Sequence, residues 1–157
     1  MTEDDVRDIS GFEGGYENEE RSYSTELKRQ RERDFMAAYR NVAMRCSTNI
    51  EAYRLAIKQP APRFYVTAEQ ARHHVRLYAQ PAGRASRKIS RDCTLRMYDE
   101  ITRRYNEYME SGKGRFMTTL QVLNKILSEP APEFYITLST AQSYFLNAKK
   151  MKKWIME

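Results

Sequence analysis

Apolar residues recur at three- and four-residue spacing along most of the chain, which is the pattern of amphipathic helices. The first such helix is predicted from about Thr25 to near Ser47, and a second from Thr48 to Gln59. Their apolar positions are Phe35, Met36, Tyr39, Val42, Ala43, Cys46, Ile50, Tyr53 and Ile57. Later in the chain the same spacing marks a helix with Leu95, Tyr98, Ile101, Tyr105 and Tyr108, and another that ends near Glu129 with Leu120, Leu123 and Leu127.

One eight-residue segment occurs twice, and it fixes the organisation of the chain. Residues 60–67 read PAPRFYVT and residues 130–137 read PAPEFYIT, with six identical positions at an offset of 70. The offset extends without a gap from Thr48 and Thr118 to Ala71 and Ala141. An ungapped match of this kind predicts an internal duplication.

The duplication predicts an all-α protein made of two tandem three-helix units, each with a short extended aromatic segment. The boundaries that follow are an acidic flexible tail at 1–22, a first unit at 23–80, a basic linker at 81–92 and a second unit at 93–157. The third helix of the first unit carries Ala71, Val75 and Tyr78. That of the second unit carries Ala141, Tyr144, Phe145 and Ala148 and continues towards Trp154 and Ile155.

Threonines mark where several of these helices begin. Thr48 with Glu51, and Thr118 with Gln121, have the spacing of a capping box, in which side chain and backbone exchange two hydrogen bonds. Thr67 with Gln70 repeats this pattern before the third helix of the first unit. Pro60 and Pro130 end the preceding helices, because the residue before proline is disfavoured in the helical region.

The repeated segment has two interpretations. In the first, its prolines end one helix and its aromatic side chains fill the space between helices. In the second, Phe64, Tyr65, Phe134 and Tyr135 form a docking surface for another chain. Three aromatic residues of the N-terminal region are further candidate anchors on a neighbouring subunit: Phe12, Tyr16 and Tyr23.

Charge is distributed unevenly along the chain. Residues 1–20 hold eight acids and one base, a net charge of −7, and the rest of the chain carries a net charge of +13. The acidic end is either a mask for the basic body or a solvated terminus. The bases that are candidates for nucleic-acid contact, with a solvated face as the alternative, are Arg84, Arg87, Lys88, Arg91, Lys149, Lys150, Lys152 and Lys153.

Signals of catalysis or of a bound cofactor are almost absent. The two histidines, His73 and His74, are adjacent and point about 100° apart on a helix, which does not suit one metal ion. Cys46 and Cys93 lack the paired spacing of a zinc site and predict free thiols in a reducing compartment. No apolar run is long enough to span a membrane, and the N-terminus does not have the pattern of a signal peptide. We therefore expect a non-enzymatic, cytoplasmic protein with no metal, cofactor, small-molecule substrate or membrane anchor.

The two PAPxFY segments, with Glu69, Gln70 and Ala71 after the first, resemble small uncharacterised proteins of Bacteroides-type bacteria and their crAss-like phages. The resemblance spans roughly residues 33–150. It implies a phage or mobile-element setting, and no assigned activity comes with it. The favoured function is a structural or interaction component of a larger, oligomeric assembly, with a virion as one setting. The alternative is a DNA- or RNA-binding regulatory or accessory protein.

Overall fold

Every regular element of the described structure is a helix. The computed structural model describes the backbone of residues 3–78 and 92–156 and the side chains of residues 23–75 and 92–150. Its helices, numbered in chain order, are α1 (Glu3–Ala43), α2 (Asn49–Ile57), α3 (Ala68–Tyr78), α4 (Asp92–Glu110), α5 (Thr119–Leu127) and α6 (Leu138–Met156). The prediction of an all-α protein is confirmed for these residues. None of the helices in these ranges is both long and apolar enough to cross a bilayer.

Helix α1 begins much earlier than the apolar pattern predicts. It starts at Glu3 and is 41 residues long, whereas the sequence predicts a start near Thr25 after a flexible tail. Carboxylates close to a helix N-terminus interact favourably with the helix dipole, and glutamate is a good helix former. The predicted start was wrong because half of the residues in 3–22 are charged and the few apolar ones were not recognised as the face of a helix.

Two helices in the described part begin with complete capping boxes. Thr118 Oγ1 accepts a hydrogen bond from the Gln121 amide at 3.2 Å, and Gln121 Oε1 accepts one from the Thr118 amide at 2.9 Å. Thr67 and Gln70 exchange the same two bonds at 3.1 and 3.0 Å. Each box satisfies two backbone amides that the first helical turn leaves without a partner. Both predictions are confirmed.

The cap before α2 differs in one bond. Thr48 Oγ1 accepts from the Glu51 amide at 3.2 Å, as the sequence predicts. The carboxylate of Glu51 accepts from the amide of Ser47, at 3.2 Å, rather than from that of Thr48. The reciprocal bond is therefore displaced by one residue, and Thr48 remains the N-cap.

The two PAPxFY segments lie against each other in an antiparallel arrangement. Ala61 and Ala131 exchange two backbone hydrogen bonds of 3.0 and 2.9 Å and form an isolated bridge. The amides of Phe64 and Phe134 each donate, at 3.0 Å, to the last residue of the helix that precedes the other segment. The four bonds are related by an approximate two-fold axis between Ala61 and Ala131.

The helices form two clusters of three, and each cluster takes its third helix from the other half of the chain. In the first cluster α1, α2 and α6 pack on one another, and in the second α3, α4 and α5 do so. The predicted tandem units placed α3 with α1 and α2. The packing differs because the crossed PAPxFY segments carry the chain from one cluster to the other before the third helix begins.

Candidate functional site

The four aromatic residues of the repeated segments lie in the core. Phe64 and Phe134 are 1% and 3% exposed, which agrees with the first interpretation of the repeated segment and not with an exposed docking surface. The ring of Phe64 stacks on that of Tyr135, with centroids 6.2 Å apart, and the ring of Tyr65 stacks on that of Phe134 at 6.3 Å. Phe134 also meets the ring of Phe35 edge-on at 5.7 Å. In this conformation these side chains join the two clusters and present no surface to a partner.

The two tyrosines of this core have different surroundings. The Tyr65 hydroxyl donates a hydrogen bond of 2.6 Å to the carboxylate of Asp34, and burial together with that carboxylate raises the pKa of Tyr65. Burial, with the charges of Glu100 and Glu133 nearby, raises the pKa of Tyr135 to about 12. Tyr135 has a backbone φ of 53°, in the left-handed region that bulky residues rarely adopt.

The carboxylate of Glu133, which the sequence analysis did not single out, forms ion pairs with residues of both clusters. Glu133 has a side chain only 11% exposed, and it accepts from Lys58 Nζ and from Arg96 Nη1, both at 2.7 Å. Lys58 follows α2 in the first cluster, and Arg96 lies on α4 in the second. The signal that could have found it is the change from Arg63 to Glu133, the one charge difference between the repeated segments.

The predicted basic candidates lie only partly within the described residues. Lys149 and Lys150 are exposed on α6. Lys152 and Lys153 lie on the same helix, but their side chains are outside the described residues, as are those of Phe12 and Tyr16 on α1. Tyr23 is 48% exposed. Residues 81–91 of the basic linker lie outside the described residues, and with them the candidates Arg84, Arg87, Lys88 and Arg91, whereas Asp92 begins α4.

A groove lies between α1 and α6 on the first cluster, and we call it the α1–α6 groove. One part of it has a volume of about 310 Å³, and a second part of about 610 Å³ adjoins it. The two parts share Met36, Arg40 and Ala148, so they form one continuous depression. Its other lining residues are Arg29, Glu32, Arg33, Tyr39, Phe145, Asn147 and Lys149.

The floor of the groove is apolar and held in place by aromatic contacts. The Tyr39 ring packs against the rings of Tyr53 and Phe145, each with centroids 5.4 Å apart, and the latter two are 5.7 Å from each other. The Tyr39 hydroxyl donates to the side-chain oxygen of Asn49 at 3.2 Å. Three helices supply this triad, so the floor is set by the fold of the cluster and not by one flexible side chain.

The rim of the groove is basic. Arg29, Arg40 and Lys149 are exposed, and within the described ranges none of them has a carboxylate at ion-pair distance. Arg33 pairs with Glu26 at 3.2 Å in an exposed contact, which contributes little to stability. The groove thus combines an apolar floor with four lining bases and one lining acid, Glu32, so its rim carries a net positive charge.

Sequence reasoning placed Lys149 among the basic candidates but missed the groove. Its apolar residues belong to two helices more than 100 positions apart in the chain, and the prediction assigned these helices to different units. Among the residues with described side chains, no group of three or more His, Cys, Asp or Glu is placed to hold a metal ion. Comparison of the chain with family models, curated proteins and solved structures finds no match.

Proposed function

We propose that this protein is a non-enzymatic interaction component of a larger assembly and that the α1–α6 groove holds its partner. The observation that carries the proposal is the apolar floor of Met36, Tyr39 and Phe145 beneath a basic rim. Apolar grooves between helices are the usual receptors for amphipathic helices. A basic rim adds selectivity for a partner whose polar face is acidic.

The internal duplication is part of the same proposal. The reciprocal hydrogen bonds between the PAPxFY segments, and the matching stacks of Phe64 on Tyr135 and Tyr65 on Phe134, support an origin from two copies of one unit. The copies have since diverged at the site. Phe145 and Lys149, which line the groove, correspond at the offset of 70 to Val75 and Ala79. Partner binding is therefore assigned to the first cluster alone. The phage particle as its setting comes from the sequence resemblance.

The proposal is tested with a synthetic helical peptide that carries leucine at helical spacing on one face and glutamate on the other. Binding is measured by fluorescence anisotropy with dilute protein, and amide shifts map the site. We expect the wild-type chain to bind and Ala148→Trp, which fills the groove, to weaken binding at least tenfold. Ser143→Trp is the matched control, because Ser143 is exposed on the same helix away from the groove.

A 20-base-pair DNA duplex is measured in parallel over a salt series. Each phosphate contact contributes about −0.9 to the slope of log K against log salt. One result would favour the alternative function in nucleic-acid binding. In it the chain binds DNA tightly and in a salt-dependent way, Ala148→Trp leaves this binding unchanged, and the peptide does not bind. Equal loss of peptide binding in Ala148→Trp and Ser143→Trp would also contradict a specific groove.

A further inference from the structure

The acidic N-terminal half of α1 has the chemistry that the groove selects. We infer that the α1–α6 groove of one copy holds the acidic segment 3–22 of a second copy, so that the chain forms a two-fold symmetric dimer. This inference rests on the proposed function and names the partner. Segment 3–22 lies within a continuous helix and contains all eight acids of the first 20 residues, with the aromatic residues Phe12 and Tyr16 among them.

The geometry of α1 directs this segment to another molecule. The groove is lined by Met36, Tyr39 and Arg40, which lie on the same helix as the acidic segment. With a rise of 1.5 Å per residue, Asp8 and Met36 are about 42 Å apart along the helix axis. A continuous helix cannot turn back onto its own side, so the segment reaches a groove only on a second copy.

Charge complementarity supports the same occupant. Residues 1–20 carry a net charge of −7, and the rest of the chain carries +13. The exposed bases of the rim, Arg29, Arg40 and Lys149, have no carboxylate partner among the described residues of their own chain. Arranging opposite charges across an interface steers association and fixes its register.

When two α1 helices pair in an antiparallel arrangement, the groove of each copy is occupied by the acidic segment of the other. A two-fold axis near position 24 places the aromatic Phe12 of one copy opposite Met36 in the floor of the other, and the acidic Asp8 opposite Arg40 on its rim. By symmetry the second copy makes the same contacts, so the interface is isologous and closed. Two equivalent contacts then form along a helix of 41 residues.

The test is a charge exchange in the full chain. The acid variant carries Asp4, Asp8, Glu13 and Glu17 as Lys, and the rim variant carries Arg29, Arg33 and Arg40 as Glu. Each variant alone has like charges on segment and rim, so we expect each to sediment at the monomer mass of 18.6 kDa. An equimolar mixture pairs opposite charges at both contacts, and we expect it to sediment at twice that mass, as the wild type does at low salt.

Several results would overturn the inference: a wild-type monomer at 100 μM in low salt, a wild-type dimer unaffected by either variant, or a mixture that stays monomeric. Circular dichroism checks that each variant keeps its helix content. A second pair, with Asn and Gln replacing the acids and Gln replacing the rim arginines, should weaken the dimer without repulsion. The chain could also remain monomeric and still bind the peptide in a way that Ala148→Trp abolishes. That result would exclude the second copy as the partner but would leave the proposed function standing.

Discussion

Phe64 offers the sharpest test of the core that joins the two clusters. Its side chain is 1% exposed, its ring stacks on Tyr135 at 6.2 Å, and the guanidinium of Arg104 lies over it at 5.0 Å from the centroid. Phe64→Ala removes the ring and leaves a cavity between segments that are held by backbone hydrogen bonds. The surrounding structure can therefore close the cavity only in part.

The expected loss follows from these contacts. Buried Phe→Ala substitutions cost about 3–5 kcal/mol. An aromatic pair contributes about 0.5–1.5 kcal/mol beyond its buried area, which places Phe64 towards the upper end of that range. For a chain of this size, each kcal/mol lowers Tm by about 2–4 °C, so we expect a fall of about 6–20 °C. Domains of this kind have a total stability of about 5–15 kcal/mol.

Urea unfolding followed by circular dichroism measures the change. Phe116→Ala is the matched control, because Phe116 is the same residue type at 94% exposure. Surface substitutions usually change stability by less than about 0.5 kcal/mol. A loss of stability below about 1 kcal/mol for Phe64→Ala, or equal losses for both variants, would refute this reasoning. It would favour the second interpretation, in which the aromatic residues of the PAPxFY segments form an exposed docking surface.

Three further substitutions probe separate contacts by the same unfolding assay. Glu133→Gln should cost about 1–2 kcal/mol, less than a fully buried pair, because both of its cationic partners reach solvent; an unchanged midpoint would contradict a role in fastening the clusters. Thr118→Ala should cost about 1 kcal/mol through loss of the capping box, whereas Thr119→Ala, beside it, should cost less. Because the pKa of Tyr135 is raised to about 12, its contribution to stability is intact below pH 10 and is lost as pH rises from about 10 towards 12. Tyr135→Phe should therefore make the alkaline decline shallower, and an unchanged decline would exclude Tyr135 from it.

Local rules predicted most of the helix boundaries from particular residues. Thr67 and Thr118 begin helices because their hydroxyls satisfy free amides, and Pro60 and Pro130 end helices for steric reasons. These effects act over four or five residues, so one sequence suffices to predict them. The start of α1 was missed because segment 3–22 has few apolar residues, and the helical spacing of Val6, Ile9, Phe12 and Tyr16 among its many charges was not recognised.

The exchange of third helices could not be read from the same rules. Periodicity tells which face of a helix is buried, but not which helix covers it. α3 and α6 carry similar apolar positions, such as Ala71 and Ala141, so either could close either cluster. The choice depends on hydrogen bonds between Ala61 and Ala131, 70 residues apart. The groove could not be predicted for the same reason, because its two walls, α1 and α6, are neighbours only when the third helices are exchanged.

The exchanged helices also determine when the protein can fold during its synthesis. α1 and α2 leave the ribosome before α6, the helix that packs on both of them, has been made. Until then Phe35, Tyr39 and Tyr53 lack the contacts that Tyr144 and Phe145 of α6 supply, and partly exposed apolar surface of this kind is prone to aggregation. A nascent chain arrested before Leu138 should therefore be sensitive to protease throughout α1 and α2. The first cluster is thus completed only after α6 has been translated.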